Sequence, residues 1–474
     1  MKRKSLLIAA IVCICPFAFL SQQAQAQNPD IKRTWHWYFG NGCGLDFSSG
    51  TPVVDTNGAL HSFESCAVMS DTAGNLLFYT DGDTVWNKLH QSMPNGTGLL
   101  GCGNWGSSTS AGLIVPWPTQ EDSIFYIFTT DCAENSFASG FRYSLVNLNL
   151  DNGKGDVYLK NQLLLQNGTE AIAVTKHANG IDYWLVTHEF NTNNYIVYQI
   201  SSSGISAPLV QPFGSVAIDY VGYIKFSADG SKMVGGINYP ANIFHFDITT
   251  GLLFDKINII AMGESPEFSP DGSKIYSNGG GNQLIMYCLN IWDSVSINSS
   301  GYQFTYNFGN DVFGVLKPAP DGKIYIASLF ESYDSISVIN NPNGYGPQAD
   351  VVPFALTTQP AGRSTGGLPY FISNYLNFKQ TPSACDSTVG IEENHSDTLI
   401  LFPNPASDIL NLKNFTDRGE KQIFLYDYSG KLILKKTTSD SQIRVNVSTY
   451  DDSIYILKIQ VNNKIFSKKF IIQH

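Results

Sequence analysis

Short runs of apolar residues, four to eight long, alternate with polar turn residues through most of this chain. Phe268-Ser269-Pro270-Asp271-Gly272-Ser273-Lys274-Ile275-Tyr276 shows the unit most clearly. Its pattern predicts a strand, a tight turn and a second strand. Pro270 presets φ for the turn, Asp271 can bond its own backbone, and Gly272 supplies a positive φ. The unit returns as Phe226-Ser227-Ala228-Asp229-Gly230-Ser231-Lys232-Met233 and as Ala319-Pro320-Asp321-Gly322-Lys323-Ile324-Tyr325.

Aligning on the turn glycine extends the series to Gly74 and Gly180. A degenerate copy around Asp122 lacks the glycine. The anchors at 74, 122, 180, 230, 272 and 322 are spaced by 42 to 58 residues, each interval holding about four short strands. That spacing predicts a β-propeller with one unit per blade. A closed ring must join its ends, or two sheet edges stay open. Residues 366–372 read as an innermost strand with nothing after it. The runs Trp35 to Gly40, Gly44 to Phe47 and Thr51 to Val54 read as second, third and fourth strands with no first. The expected fold is all-β: a seven-bladed propeller over 27–375, its last blade closed by N- and C-terminal strands. Six blades, with the N-terminal strands packed elsewhere, is the alternative. Residues 376–397 are polar and aperiodic and read as a linker. Seven short strands then follow in 398–474 and predict a small Ig-like β-sandwich.

Composition agrees: 15% charged residues, 13% aromatic residues and 42 glycines suit strands and tight turns. Lys2, Arg3 and Lys4 precede an apolar run and Ala24-Gln25-Ala26, so residues 1–26 read as a secretory signal peptide. No later stretch is long and apolar enough for a transmembrane segment. The net charge of −11 conceals a body, residues 27–397, carrying −18. That argues against nucleic acid and anionic membrane as partners. Export permits disulfides among the six cysteines left after the signal. Cys102 with Cys132 is the first pair to expect, both flanking loops of one blade, although several of the six could equally be buried thiols.

Two resemblances follow from these motifs. The Asp-Gly hairpin units resemble the Tol-B-type propeller repeat, a relative of the WD class. Trp37-Tyr38-Phe39-Gly40, Gly44-Leu45-Asp46-Phe47, Leu77-Phe78-Tyr79-Thr80-Asp81-Gly82 and Thr84-Val85-Trp86-Asn87 resemble the opening of large exported surface proteins of gliding-type bacteria, for which no activity is agreed. The tail is more specific. Phe402-Pro403-Asn404-Pro405-Ala406-Ser407-Asp408, then Leu425-Tyr426-Asp427-Tyr428-Ser429-Gly430-Lys431-Leu432, then Tyr455-Ile456-Leu457-Lys458-Ile459 resemble, in order, the type A C-terminal sorting domain of the type IX secretion system. That resemblance implies crossing of the outer membrane of a Gram-negative bacterium, recognition by the translocon, and secretion or surface attachment. Pro403, Asn404, Pro405 and Gly430 carry the sorting motif. In physical terms, Pro403 and Pro405 restrain the entry to an edge, and Asp427 to Gly430 forms a hairpin turn.

Chemistry is sparse. The expectation is of no Gly-x-Ser-x-Gly elbow, no His-Glu-x-x-His helix and no phosphate-binding glycine loop. His177, His188 and Glu189 cluster in sequence, but a strand end facing a loop explains them. Asp81-Gly82-Asp83 and Asp321-Gly322 lack the further acidic ligand of a calcium loop and read as turns. One constellation remains. Counting back from the turn glycines, Glu64 and Glu170 lie ten residues before, Asp219 and Asp311 eleven, and Glu264 eight. At the heads of channel-lining strands they would hold a cation such as Ca2+ or a basic ligand, or raise one another's pKa; solvated channel residues are the plainer reading. No other cofactor is expected. The leading expectation is a non-catalytic exported platform binding a surface glycan or protein. A hydrolase acting on glycans or peptides through channel carboxylates is the alternative, and a purely structural surface role is the third.

Overall fold

A computed structural model describes residues 28–102, 107–218, 221–237, 241–260, 262–263, 265–278, 283–305, 313–328, 334–385, 400–413, 420–427, 431–440, 443–461 and 464–474. It is all-β apart from a few short helices, and it separates into two compact units, Met1–Ser387 and Thr388–His474.

The described part of the first unit contains seven sheets, following one another along the chain. The first has three strands, His36–Phe39, Cys43–Asp46 and Val53–Val54. The second is built on Cys66–Ser70, the third on Leu113–Pro116 and the fourth on Gly168–Lys176. The fifth begins with Ile224–Phe226, the sixth with Glu267–Phe268 and the seventh with Phe313–Pro318. From the second sheet to the seventh, the first strand of each lies beside the first strand of the next.

The turn chemistry is as the pattern requires. Gly74, Gly180, Gly230, Gly272 and Gly322 all have φ between 66° and 94°. In the copy without glycine, Thr119 takes that conformation, with φ 72°. The turn aspartates act on their own hairpins. Asp229 Oδ1 accepts from Ser227 Oγ at 2.6 Å and Ser231 N at 3.0 Å, and Asp271 repeats both bonds with Ser269 and Ser273. Asp321 differs, accepting from Tyr325 Oη at 2.8 Å.

The closing strand corrects the expected composite blade. Pro369–Tyr370 pairs in parallel with Cys66–Ala67 of the second sheet, not with the three N-terminal strands. Glycine decides this. A Cβ on Gly367 would fall inside the carbonyl of Glu64, so only glycine lets the two backbones run together there. The same segment also touches the neighbouring sheets: Val315 N donates to Gly366 O at 2.8 Å, and Asn41 N donates to Arg363 O at 2.9 Å. A second tie joins the ends of the unit. The short helix Pro29–Thr34 packs on Ser373–Leu376, and Asn28 Nδ2 donates to Asn374 O at 2.8 Å.

The expected linker is also shortened. Residues 380–385 are strapped to the sixth sheet and the loop after the seventh sheet's third strand. Cys385 is disulfide-bonded to Cys288, Asn343 Nδ2 donates to Gln380 at 2.6 Å, and Ser383 N donates to Asp271 Oδ2 at 2.8 Å. Lys274 Nζ adds bonds to Ser383 O at 2.9 Å and Ala384 O at 3.1 Å. A polar stretch without periodicity reads as a linker, but residues 380–385 spend hydrogen-bonding groups on these sheets and loops.

The second unit has two antiparallel sheets sharing one core. Ile400–Phe402, Ile409–Lys413 and Ile443–Asn446 form one; Leu432–Thr438, Lys421–Asp427, Ser453–Val461 and Lys464–Ile472 form the other. Alternate residues turn inward, among them Leu410, Leu412, Ile443 and Val445 from the first and Ile423, Leu425, Leu457 and Ile459 from the second.

Candidate functional site

Of the five expected carboxylates, Glu64 and Glu170 lie among the described residues. Asp219, Glu264 and Asp311 lie outside the described residues. In sequence they fall before the strands that follow them, because those strands begin only at Ile224, Glu267 and Phe313. Glu64 likewise precedes its strand by two residues and is half-buried beside Gly367. Glu170 sits within Gly168–Lys176 and is fully buried. Its carboxylate accepts from Thr109 N at 2.9 Å and Ala133 N at 3.1 Å. Burial pushes its pKa up to about 7 against the pull of those bonds.

The charged groups that do converge stand five residues before the turn glycines. Lys225, Glu267 and Lys317 occupy this place in the fifth, sixth and seventh sheets, where the second and fourth carry Met69 and Thr175. Short hairpins set the register: five residues back from the glycine is inside the first strand. Because adjacent first strands are neighbours, the three side chains meet. Their exposures are 3%, 5% and 4%. Lys225 Nζ lies 3.1 Å from Glu267 Oε2, and Glu267 Oε1 accepts from Phe268 N at 3.1 Å.

Tyr370 of the closing strand completes the group. Its hydroxyl lies 2.7 Å from Ile224 O and 3.0 Å from Ile172 O, which fixes the ring. Lys317 Nζ stands 3.3 Å from the ring centre and Lys225 Nζ 4.8 Å from it, both near the face that attracts cations. Burial drives the Lys317 amine well below its usual pKa, and the charge on Lys225 drives it further down, while Glu267 opposes both. Tyr370 is held well above its usual value, by burial first and Glu267 second. A cavity of about 30 Å³, room for about two waters, opens on Lys225, Glu267, Lys317 and Tyr370. Phe226, Phe268, Pro318 and Phe371 are among its apolar walls.

The sequence held the signal for this cluster: a constant offset of five gives three charged residues in three consecutive units. At an offset of ten, Glu170 falls inside its strand and Glu64 two residues before its own.

Other candidates resolve into structure. Cys102 and Cys132 are disulfide-bonded, with Cα atoms 5.7 Å apart, so they offer no thiolates to a metal beside Glu134. Cys43 and Cys66 are buried free thiols. His188 is buried, with Nδ1 2.9 Å from Glu189 O, and burial lowers its pKa to about 4. Asp81 Oδ1 accepts from Asp83 N at 2.9 Å and Thr84 N at 2.8 Å, the bonds of a turn. Gly362-Arg363-Ser364-Thr365-Gly366 does have the spacing of a serine-hydrolase elbow. Ser364 is nevertheless buried, its hydroxyl lies 3.3 Å from Thr365 O, and the segment leads into the strand Pro369–Tyr370 and not directly into a helix.

In the second unit, Asn404 Oδ1 accepts from Ile471 N at 2.8 Å. Ala406 N then donates to Ile471 O at 2.9 Å, and Gln473 N donates to Ala406 O at 3.0 Å. The segment holding Pro403 and Pro405 is thereby docked on the C-terminal strand. Gly430 lies outside the described residues.

Similarities to known proteins fall on both units. The putative 6-phosphogluconolactonase from Bacteroides uniformis is 13% identical, with TM-score 0.40, over 65% of this chain and 92% of that one. Kluyveromyces lactis Hsv2 is 10% identical, with TM-score 0.36, over 65% and 90%. The structure of the Dos1 propeller is 10% identical, with TM-score 0.38, over 67% and 85%. None of these likenesses bears on activity. The funoran endo-beta-hydrolase of Wenyingzhuangia aestuarii is 30% identical over 115 residues, 23% of this chain and 15% of that protein. This chain therefore spans a small part of that relative's length. Residues 400–473 match the secretion system C-terminal sorting domain, the type IX tail that indicates a secreted or cell-surface protein and implies contact with the secretion machinery.

Proposed function

We propose that this is an exported binding protein: a seven-bladed propeller over residues 27–375 that presents a platform to a surface glycan or protein. Residues 1–26 serve as its signal peptide, and an Ig-like sandwich over 398–474 carries it through the type IX translocon to the outer-membrane surface. The observation that carries this reading is the sorting-domain match at 400–473. Seven successive sheets with adjacent first strands support the propeller. Its buried inner glutamates support binding over catalysis, since Glu170 is committed to backbone N–H groups and Glu267 to Lys225.

The test is a protease-accessibility assay on cells of a type IX-competent bacterium expressing the full chain and a variant lacking 400–473. The full chain should be digested at the surface or found in the medium, and the truncated one retained in the periplasm. Equal export of both overturns the reading. A glycan array on the secreted protein, read for retention and for released product, addresses the platform. Released product would instead favour the second reading, a glycan hydrolase, for which the only support is the similarity to the funoran endo-beta-hydrolase. A calcium site at Glu64 and Glu170 would show as calorimetric binding that Glu64→Gln with Glu170→Gln abolishes.

A further inference from the structure

We propose that the cavity among Lys225, Glu267, Lys317 and Tyr370 is an anion site, taking one compact monoanionic group of carboxylate type. This reverses the charge of the ligand expected for the inner strands. The argument rests on the cluster and does not depend on how the protein is exported or what its outer face binds.

Two lysine side chains share a buried space with one carboxylate. Glu267 is paired with Lys225 at 3.1 Å. Among the described residues, none of the ion pairs includes Lys317, whose nitrogen instead stands over the Tyr370 ring and opens on the cavity. A buried cation without a counter-charge is costly, and a second cation beside it adds to the cost, so Lys317 is held toward its neutral amine. A bound anion between Lys225 and Lys317 supplies the missing counter-charge and draws a proton back onto Lys317, which couples anion binding to proton uptake there. Size limits the ligand. About 30 Å³ admits a group the size of formate or acetate, and the phenylalanine and proline walls provide few partners for a larger polar ion. Ser373 also lines the space.

One chemistry has two sources: a free small anion, or the carboxylate of an acidic sugar reaching in from outside. Thermal unfolding and calorimetry on the whole mature chain separate them, using sodium formate, sodium glucuronate and, at equal ionic strength, sodium fluoroborate as a control. Formate at about a hundred times its dissociation constant should raise Tm by about 2–4 °C over the control. Glucuronate matching formate assigns the site to an acidic sugar; formate alone assigns it to a free anion. Lys317→Met keeps the length and apolar stem, and should weaken formate binding by about tenfold or more. Glu267→Gln removes the internal competitor for Lys225, and should tighten formate binding by about tenfold. The gain in the second variant cannot arise from misfolding. No anion-specific shift in the wild-type protein, or equal shifts in wild type, Lys317→Met and Glu267→Gln, overturns the proposal.

Discussion

Glu170 and Glu267 are both buried glutamates on the first strands of their sheets, and the protein satisfies them in opposite ways. Glu170, in the fourth sheet, is surrounded by backbone N–H groups and tends to keep its proton; Glu267, in the sixth, is met by a lysine across the strand boundary. The contrast extends to their regions. In the second and fourth sheets the position five before the turn glycine holds Met69 or Thr175, both buried and uncharged. In the fifth to seventh sheets the same position is charged, and a cavity remains. A repeat fixes the turn residues because every hairpin needs them. It leaves the inner position free, and that is where this protein departs from its own pattern.

The sharpest way to test the contrast is through the disulfides, one in each region. Cys288–Cys385 closes a span of 97 residues and Cys102–Cys132 one of 30. Chain entropy alone predicts a loss of about 4–5 kcal/mol for Cys288→Ser and about 3–4 kcal/mol for Cys102→Ser. Denaturant unfolding measures both, and the reverse order would break the comparison. Next, Glu267→Ala leaves two lysine side chains buried without their carboxylate, and should cost about 3–5 kcal/mol by the same measurement. A loss below about 1 kcal/mol would show that the lysines are solvated by another route.

The Glu170 side of the comparison is read through pH. Its folded pKa, about 7, lies above the ordinary carboxyl value, so its contribution is full in acid and is lost as pH rises from about 4.5 through 7. The wild-type protein should lose about 2–3 kcal/mol of stability over that window. Asp81, raised to about 6 by burial, adds a slope at slightly lower pH. Glu170→Gln should flatten the upper part of the profile, and an unchanged profile would assign the slope elsewhere.

The smallest effect concerns the turns. Burial alone would raise the Asp271 pKa, but hydrogen bonds from Ser273, Ser269 and Ser383 hold it below the ordinary value. Its stabilisation is therefore present at neutral pH and lost as pH falls through that depressed value. Asp271→Ala should cost about 2 kcal/mol and Asp229→Ala about 1, since only Asp271 also holds the strap through Ser383. Equal losses would mean that the strap is carried by its other ties, among them the Cys288–Cys385 disulfide, Lys274 and Asn343.

Much of this was legible in the residues. The Asp-Gly hairpins stand where the pattern put them, because a turn needing positive φ writes itself as glycine within a few residues of sequence. The tail strands followed from alternation for the same local reason. What failed depended on distance. Residues 380–385 carry no periodicity, and nothing local to Ser383 announces that it will meet Asp271, 112 residues earlier in the chain. The closing strand was recognised as a strand, but its neighbour was set by a glycine at 367 pressed against the backbone of Glu64.

The sequence by itself determined most of the elements, their repeat, the sorting tail and the glycine turns of the repeat, since each depends on φ, ψ and side-chain period over a few residues. Only the tertiary structure decided that Lys225, Glu267, Lys317 and Tyr370 share one cavity. Their meeting requires four strands from distant parts of the chain to lie side by side. It also requires their burial, and burial is what turns ordinary ionisable side chains into a site.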